Sequence, residues 1–593
     1  MKMVKKLPGP GFEAILLLLS VFFALSALSC RAGDSTVPGE VSSPYPTVAN
    51  LAFEWRIEGD DDLDCAVEVA YRMAGEAKWH RAMPLRRIPA GASVDARRPF
   101  TWENKLSGSI FDLKPGTEYQ VRLRLNDPDG GSAEKLLTVK TRPVPRPAAD
   151  AAEKWVYPGT LKDSAAAAKP GDILVLAPGY YGDFALPCDG LPGRPVVIRS
   201  DRSHDLINST FDSIDLTGRK HVIIEGVTVY GSIDLVGAEE VAVRHCMVNA
   251  KYGIIAKNSP GCKNCYIADN VVSYVMPWIG LGMGCCMDDG GAACVGEGIQ
   301  LTGPGNVICY NRVSGYRDCI SFMEDRPVYD QRCIDVYNND IYVGADDGIE
   351  ADFSMGNCRI MRNRLTNCFI PLSSQPGLGG PAYFIRNVMY NVINTIYKLS
   401  RSSKGDVVLH NTAVKVGDGF MVSHNPSLAL FRNNLMIGGQ GGDEPGGRFG
   451  RYGSGPGYAV FFPRLSPTCD LDYDGVGTHG TQFKATVGRL ETDSFEEFTR
   501  RTTEKHAVLV DMSVFADGVE FPDPAIPERE PADLRLRPGS AAVDAALLIP
   551  NVNDNFTGKG PDLGAYELGR EPPHYGPRPP GVDEETAQQE NNP

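Results

Sequence analysis

NNDIYVGADDGIEADFSMGNCRIMRNRLT, residues 338–366, begins and ends on the same device: an asparagine, Asn339 and then Asn363, placed two residues ahead of an apolar side chain. RNVMY (386–390) and HNTAV (410–414) repeat it, with Asn387 and Asn411 following at intervals of 24 residues each. Looser copies lie on either side in ADNVVS, YNRVS and RNNLM. A fixed period in the low twenties, with short β-branched runs and no helical pattern, predicts a solenoid in which each repeat is one coil of three short strands. At the tight turn the asparagine amide can hydrogen-bond its counterpart in the next coil, and asparagine tolerates a left-handed backbone there. Stacked coils then sit about 4.8 Å apart, as neighbouring strands do.

Working outward, LKDSAAAAKPGDILVLAPGYYGDFAL (161–186) reads as a helical cap and first coil, and the repeat signal runs over roughly residues 150–440. Residues 440–530 break the period and read as an irregular excursion with a helix at SFEEFTRRTTEKHA. LRLRPGSAAVDAALLIPNVNDNFTGKGPDLGAYELG reads as a cap over the last coil, closing a domain of 150–570. An uncapped final coil would template aggregation. The tail, 571–593, has little apolar content and is expected to be disordered. Before the solenoid, 45–144 carries alternating strands (LAFEWRIEG, CAVEVAYRM, YQVRLRLND, KLLTVKTRP) that suit a small antiparallel sandwich. RPVPRP then forms a stiff linker.

These motifs resemble two known families. The solenoid resembles the right-handed parallel β-helix superfamily of pectate, alginate and chondroitin lyases, with 161–186 similar to the opening of alginate and chondroitin B lyases. FDLKPGTEYQVRLRLNDPDGG resembles a fibronectin type III domain, with Trp55 as its core tryptophan and Tyr119 at its tyrosine corner. The fold class expected is therefore all-β: a right-handed parallel β-helix preceded by a fibronectin type III-like β-sandwich. Fold alone does not fix the reaction.

The 593-residue chain carries a formal net charge of -15, which argues against nucleic acid or an anionic membrane surface as partner. Residues 1–29 have a basic start and an apolar run and read as a secretory signal peptide. ALSC (27–30) resembles a lipoprotein cleavage box, with Ala27 where leucine is usual. That resemblance implies a lipid on Cys30, a linker over 30–44, and an exported protein, either a cell-envelope lipoprotein or extracellular; cleavage leaving Cys30 unmodified is the other reading. No further stretch is long and apolar enough to span a bilayer. CKNC (262–265) with Cys285, Cys286 and Cys294 could be a zinc cluster by spacing, but no histidine or second CxxC completes it, so disulfides are expected. Cys309, Cys319, Cys333, Cys358 and Cys368 are read as small buried hydrophobes.

Aligning the coils stacks GEGIQLTG, RDCISFMED, DDGIEADFS, NTIYKLSR and GDGFMVSH, with Ile299, Ile320, Ile349, Ile396 and Phe420 as the inward column. Alternation then turns Glu350 and Asp352 outward, with Gln300 and Ser321. Glu297, Asp318, Asp347, Asn394 and Asp418 form a column at the preceding turn. Carboxylates at i and i+2 lie about 7 Å apart, near the spacing of an inverting glycosidase. Neighbouring coils bring others to about 5 Å, close enough to share a cation such as calcium. Asp347, Glu350 and Asp352 are the metal ligands expected, and Glu350 and Asp352 are also candidate catalytic groups.

The segment IYKLSRSSKGDVVLHNTA is similar to the coil of alginate and chondroitin B lyases that supplies a lysine base, which implies that role for Lys398. The arginine expected one coil later is replaced by Ser423 and His424, leaving Arg401 as its substitute. Glu297, Asp318, Glu324, Arg326 and His424 are the expected substrate contacts, an arginine gripping a sugar carboxylate or sulfate in two-pronged fashion. The expected partner is a polysaccharide met by a monomeric chain. Three functions stay open: a lyase on a uronic-acid glycan, a hydrolase using the carboxylate pair, and a non-catalytic glycan-binding or adhesion module.

Overall fold

The computed structural model describes residues 33–586 apart from 95–98, 202–208, 258, 277, 279–295, 323–329, 423, 442–452 and 526–527. The leader with Cys30, the candidate contacts Glu324 and Arg326, and Cys285, Cys286 and Cys294 fall outside the described residues.

The chain is a right-handed parallel β-helix preceded by an antiparallel sandwich. In the solenoid every described ladder between successive coils is parallel. One wall is a sheet of thirteen described strands running from Ala152–Val156 to Asp470–Asp472, and the other two walls merge into a sheet of twenty. The interior is one continuous apolar column from Val156 to Phe498.

The asparagines form the spine of this stack. Asn270, Asn311, Asn339, Asn363, Asn387, Asn411 and Asn434 are all fully buried. The Oδ1 of Asn363 accepts from the backbone N–H of Asn339 (3.0 Å) and from its side-chain amide (2.9 Å), while its own Nδ2 donates to Asn387 (3.0 Å) and to the Val336 carbonyl (3.0 Å). The left-handed conformation, however, belongs not to the asparagine but to the residue before it: Tyr310, Asn338, Arg362, Arg386, His410 and Asn433 all have φ between 51° and 62°. The turn needs one inverted residue, and placing it one position earlier frees the asparagine to point along the axis.

The ladder ends on Asp474, which accepts from the Asn434 backbone (2.7 Å) and side chain (2.8 Å). Glu504 is buried against it; burial lifts the Asp474 carboxyl to about 6, and burial together with Asp474 holds Glu504 well above its usual range. Two buried carboxylates satisfy each other only by sharing a proton. A carboxyl raised in the folded state gives stability that is complete below the unfolded value near 4 and is lost as pH rises through the folded value. Glu504→Gln is therefore expected to gain about 1–3 kcal/mol over wild type at pH 8 and nothing at pH 4, read by urea unfolding at both.

Within 440–530 the described strands extend the stack instead of leaving it. Asp470–Asp472 pairs with Leu430–Arg432, Gly475–His479 with Leu435–Gly439, and Val508–Val510 with Gly475–His479, so the coils continue. The helix is shorter than the pattern suggested, Phe495–Arg501, capped by Ser494.

Two boundaries also move. The strand Thr36–Ser42 pairs with Leu51–Gly59, so part of the expected 30–44 linker is an edge strand of the sandwich. The described part of the tail, up to residue 586, docks on the solenoid through buried ionic anchors rather than apolar ones. Arg578 forks onto both oxygens of Asp269 (2.8 Å each), and Glu584 accepts from Tyr266 (2.8 Å) and Tyr337 (2.7 Å).

Trp55 fills the sandwich core, and the Tyr119 hydroxyl accepts from the Lys114 amide at 2.8 Å, as a tyrosine corner requires. Val48, Met83 and Phe111 of the sandwich share an apolar cluster with Val197, Ile223, Met361 and Tyr383 of the solenoid. Across the same contact, Asp335 is ion-paired with Arg359 and accepts from Asn50 (2.7 Å), while Arg359 donates to Ser109 (3.2 Å). The sandwich is thus bolted to the outer wall of the β-helix.

Cys309, Cys319, Cys333, Cys358 and Cys368 are fully buried thiols. Cys262 and Cys265 are buried and unbridged among the described residues.

Candidate functional site

Ladder pairing sets one outward row from coil to coil: Asp215, Asp234, Ile255, Gln300, Ser321, Glu350, Ser373 and Lys398. Its inward neighbours are Ile233, Ile254, Ile299, Ile320, Ile349, Leu372 and Tyr397. The expected column therefore holds through Ile349 and then slips. An intervening coil supplies Leu372, Tyr397 takes the place assigned to Ile396, and Phe420 pairs with Val460 in a different sheet. Both Ile396 and Tyr397 are apolar enough to be buried, so period alone could not choose between them.

Glu350 lies on the outward side as predicted, but it is 3% exposed, and Asp318, Asp347 and Asp352 are fully buried. The expectation of a solvent-facing acidic surface is thus corrected. Alternation assigns the side of a strand that a residue faces, not what covers that side.

What results is a nest of six carboxylates, Glu297, Asp318, Asp346, Asp347, Glu350 and Asp352, around Lys398. Lys398 Nζ pairs with Asp347 and lies 3.9 Å from Glu350. Ser321 donates to Glu350 (3.0 Å), and the Asp347 amide to Asp318 (2.9 Å). Arg317 lies 3.4 Å from Asp318 and 3.3 Å from Asp346. Asp352 turns away, accepting from Ser373 and from the Gln375 backbone (2.9 Å) and side chain (3.2 Å).

Burial and mutual repulsion raise the acids. Burial, then Asp352, lifts Glu350 to about 7; burial lifts Asp318 to about 6 and holds Glu297 and Asp347 well above the usual carboxylate range. Lys398 is pushed up, since the pull of Asp347, Asp352, Asp346 and Glu350 overcomes the cost of burying it. In this state Lys398 is a firmly held cation.

Oxygens of Asp318, Asp346 and Asp347 lie within 4.8 Å of one another, and so do those of Glu297, Asp318 and Glu350. Glu297 Oε2, Asp346 Oδ1 and Asp347 Oδ1 are buried with no hydrogen-bond partner among the described residues. The expected trio Asp347, Glu350 and Asp352 lies in one nest, but Asp352 turns its oxygens to Ser373 and Gln375 and joins neither close cluster of carboxylate oxygens. Arg317 and Asp346 were missed as site residues. Their signal was position, since each directly precedes a turn-column acid.

The remaining candidates form the rim. Lys398 is partly exposed and Arg401 exposed. Thr395 donates to the Met421 carbonyl (2.8 Å) and Asn425 to Ser402 (3.1 Å), which puts His424 one coil beyond Lys398 and Arg401. Burial, then Lys398 and Arg464, lowers the His424 imidazole, keeping it neutral at pH 7. Asp418 and Asn394 do not join the site. Asp418 caps the amides of Gly457 (3.0 Å) and Tyr458 (2.8 Å), and Asn394 donates to the Gly453 carbonyl (3.2 Å).

No protein-family profile and no curated protein matches the chain. Among solved structures it is similar to pectate lyase Pel9A, at 14% identity and TM-score 0.37, over 70% of this chain and 96% of that one. It is also similar to the PL6 family alginate lyase AlyGC (12% identity, TM-score 0.36, 57% of this chain and 50% of that one). An alginate lyase from Paenibacillus sp. str. FPU-7 aligns at 17% identity and TM-score 0.29, over 46% of this chain and 97% of that one.

Proposed function

We propose that the protein is an exported polysaccharide lyase, anchored through Cys30, that cleaves a uronic-acid glycan by β-elimination at Lys398. The observation carrying this reading is a lysine at the solvent edge of six carboxylates, on an outward row that runs along the β-helix.

Six acids against Lys398 and Arg317 leave a negative excess that protons or a cation must offset. The orphaned oxygens fit a hard divalent cation such as calcium, held by Asp318, Asp346 and Asp347 with Glu297 and Glu350 beside them. Such a cation would offset the charge of the substrate's carboxylate, making the adjacent C–H more acidic, and would relieve Lys398 of the acids that hold its proton, so that the ammonium could release it to water and serve as a neutral base. Arg401 meets the sugar carboxylate at the rim, and His424 offers a neutral hydrogen-bonding group. Lys398 Nζ then removes the proton from the carbon bearing the carboxylate. The C–H electron pair forms the double bond to the neighbouring ring carbon, the glycosidic C–O bond breaks from that carbon with its own pair, and the departing oxygen takes up the proton from the Lys398 ammonium.

Incubation with polygalacturonate, alginate and chondroitin is expected to give ultraviolet-absorbing unsaturated ends on one of them. Activity should be lost on chelation and restored by calcium. Reducing ends without that absorbance would instead favour hydrolysis, in which Glu350, held near neutrality, donates the proton. Binding without either product would leave a glycan-binding module.

A further inference from the structure

On the thirteen-stranded wall, beside the sandwich, a cavity of about 460 Å³ opens between Asp112, Arg362, Arg386, Tyr566, Glu567 and Arg570. Arg362 and Arg386 hold the same left-handed turn position in consecutive coils, so their guanidinium groups come from stacked backbone sites. Arg362 is neutralised by a two-pronged pair with Asp112 (2.8 and 3.0 Å). Glu567 is committed to the amides of Thr557 (2.8 Å) and Asp562 (3.2 Å). Arg386 donates only to the carbonyls of Ala565 (3.0 Å) and Val552 (3.5 Å) and makes no ion pair among the described residues. Burial pulls its guanidinium down to about 10 against the attraction of Glu567, and the His410 above it is held neutral. Glu567 attracts it across the cavity without pairing directly, and a half-buried guanidinium with no direct ion pair among the described residues, facing a cavity far larger than one ion, keeps donors to offer a carboxylate.

We infer that this cavity is a second, non-catalytic site for a carboxylate-bearing sugar of one or two rings, its carboxylate on Arg386 and its hydroxyls toward Arg570 and Tyr566. The anion follows from Arg386; the sugar rests on the uronic-acid reading above.

The test is calorimetric titration of digalacturonate, with glucose as the neutral control and inorganic sulfate as the bare anion, into wild type, Lys398→Ala and Arg386→Gln proteins. Digalacturonate binding that survives Lys398→Ala and falls at least tenfold in Arg386→Gln, with turnover of the latter unchanged, is the expected result. Sulfate competing at this site while no glycan is cleaved would leave the anion site standing and remove the lyase reading. Unaltered binding by Arg386→Gln, or no digalacturonate binding to Lys398→Ala, would overturn the proposal. Should Arg386→Gln not fold, Arg570→Ala at the exposed rim is expected to weaken the same binding about threefold, and no change there overturns it too.

Discussion

Lys398→Ala is expected to lower turnover by about 10²–10⁴-fold, the range for losing a positioned proton-transfer group. The charge it carries must be separated from the proton it moves, because the same side chain is the principal counter-ion of Asp347. Without divalent cation the variant should also lose stability, since a buried carboxylate left without its partner costs about 3–5 kcal/mol. Saturating calcium should restore most of that stability and none of the activity. Lys398→Arg decides the role: it keeps the charge but cannot give up its proton. Activity recovered by arginine would make Lys398 an electrostatic group and shift attention to His424. Steady-state rates and melting temperatures with and without calcium report both halves.

Asn363→Ala is expected to cost about 3–5 kcal/mol, measured by urea unfolding, the sum of several stranded groups at about 1–3 kcal/mol each. The substitution removes the acceptor of the Asn339 backbone and side-chain amides and the donor to the Val336 carbonyl, all in the interior of the stack. Asn425→Ala, which removes only an exposed bond to Ser402, should stay within about 0.5 kcal/mol. Equal effects at the two positions would mean that the ladder accompanies the fold without holding it.

The repeat was legible because the ladder needs one residue type at a fixed interval, and sequence displays identity and interval directly. The inward column was legible as far as Ile349 for the same reason. It failed at Lys398, where Ile396 and Tyr397 are both fit for the interior and the coil length shifts by one. The burial of Glu350 and Asp352 was hidden because period-two alternation carries no information about a covering layer. The docked tail was hidden for a different reason: Arg578 and Glu584 anchor it through partners 247 to 318 residues away, and a low apolar content conceals such bonds. The sandwich was recognised from Trp55 and Tyr119, but its attachment through Asn50, Ser109 and the Asp335–Arg359 pair depends on which wall it meets.

Every amide in the ladder points its donors the same way, from Asn270 through Asn434 to the carboxylate of Asp474. The side chains therefore sum to an electrical polarity along the axis, separate from that of any backbone helix, and the acid stands at its positive end. Each bond polarises the next, so a newly duplicated repeat is neutral to this current of dipoles only if it brings its own asparagine. Growth by whole coils preserves the circuit, and a repeat without the amide breaks it into two shorter ones, the upstream piece lacking its terminal acid. The length of such a protein is in this sense quantised by one side chain.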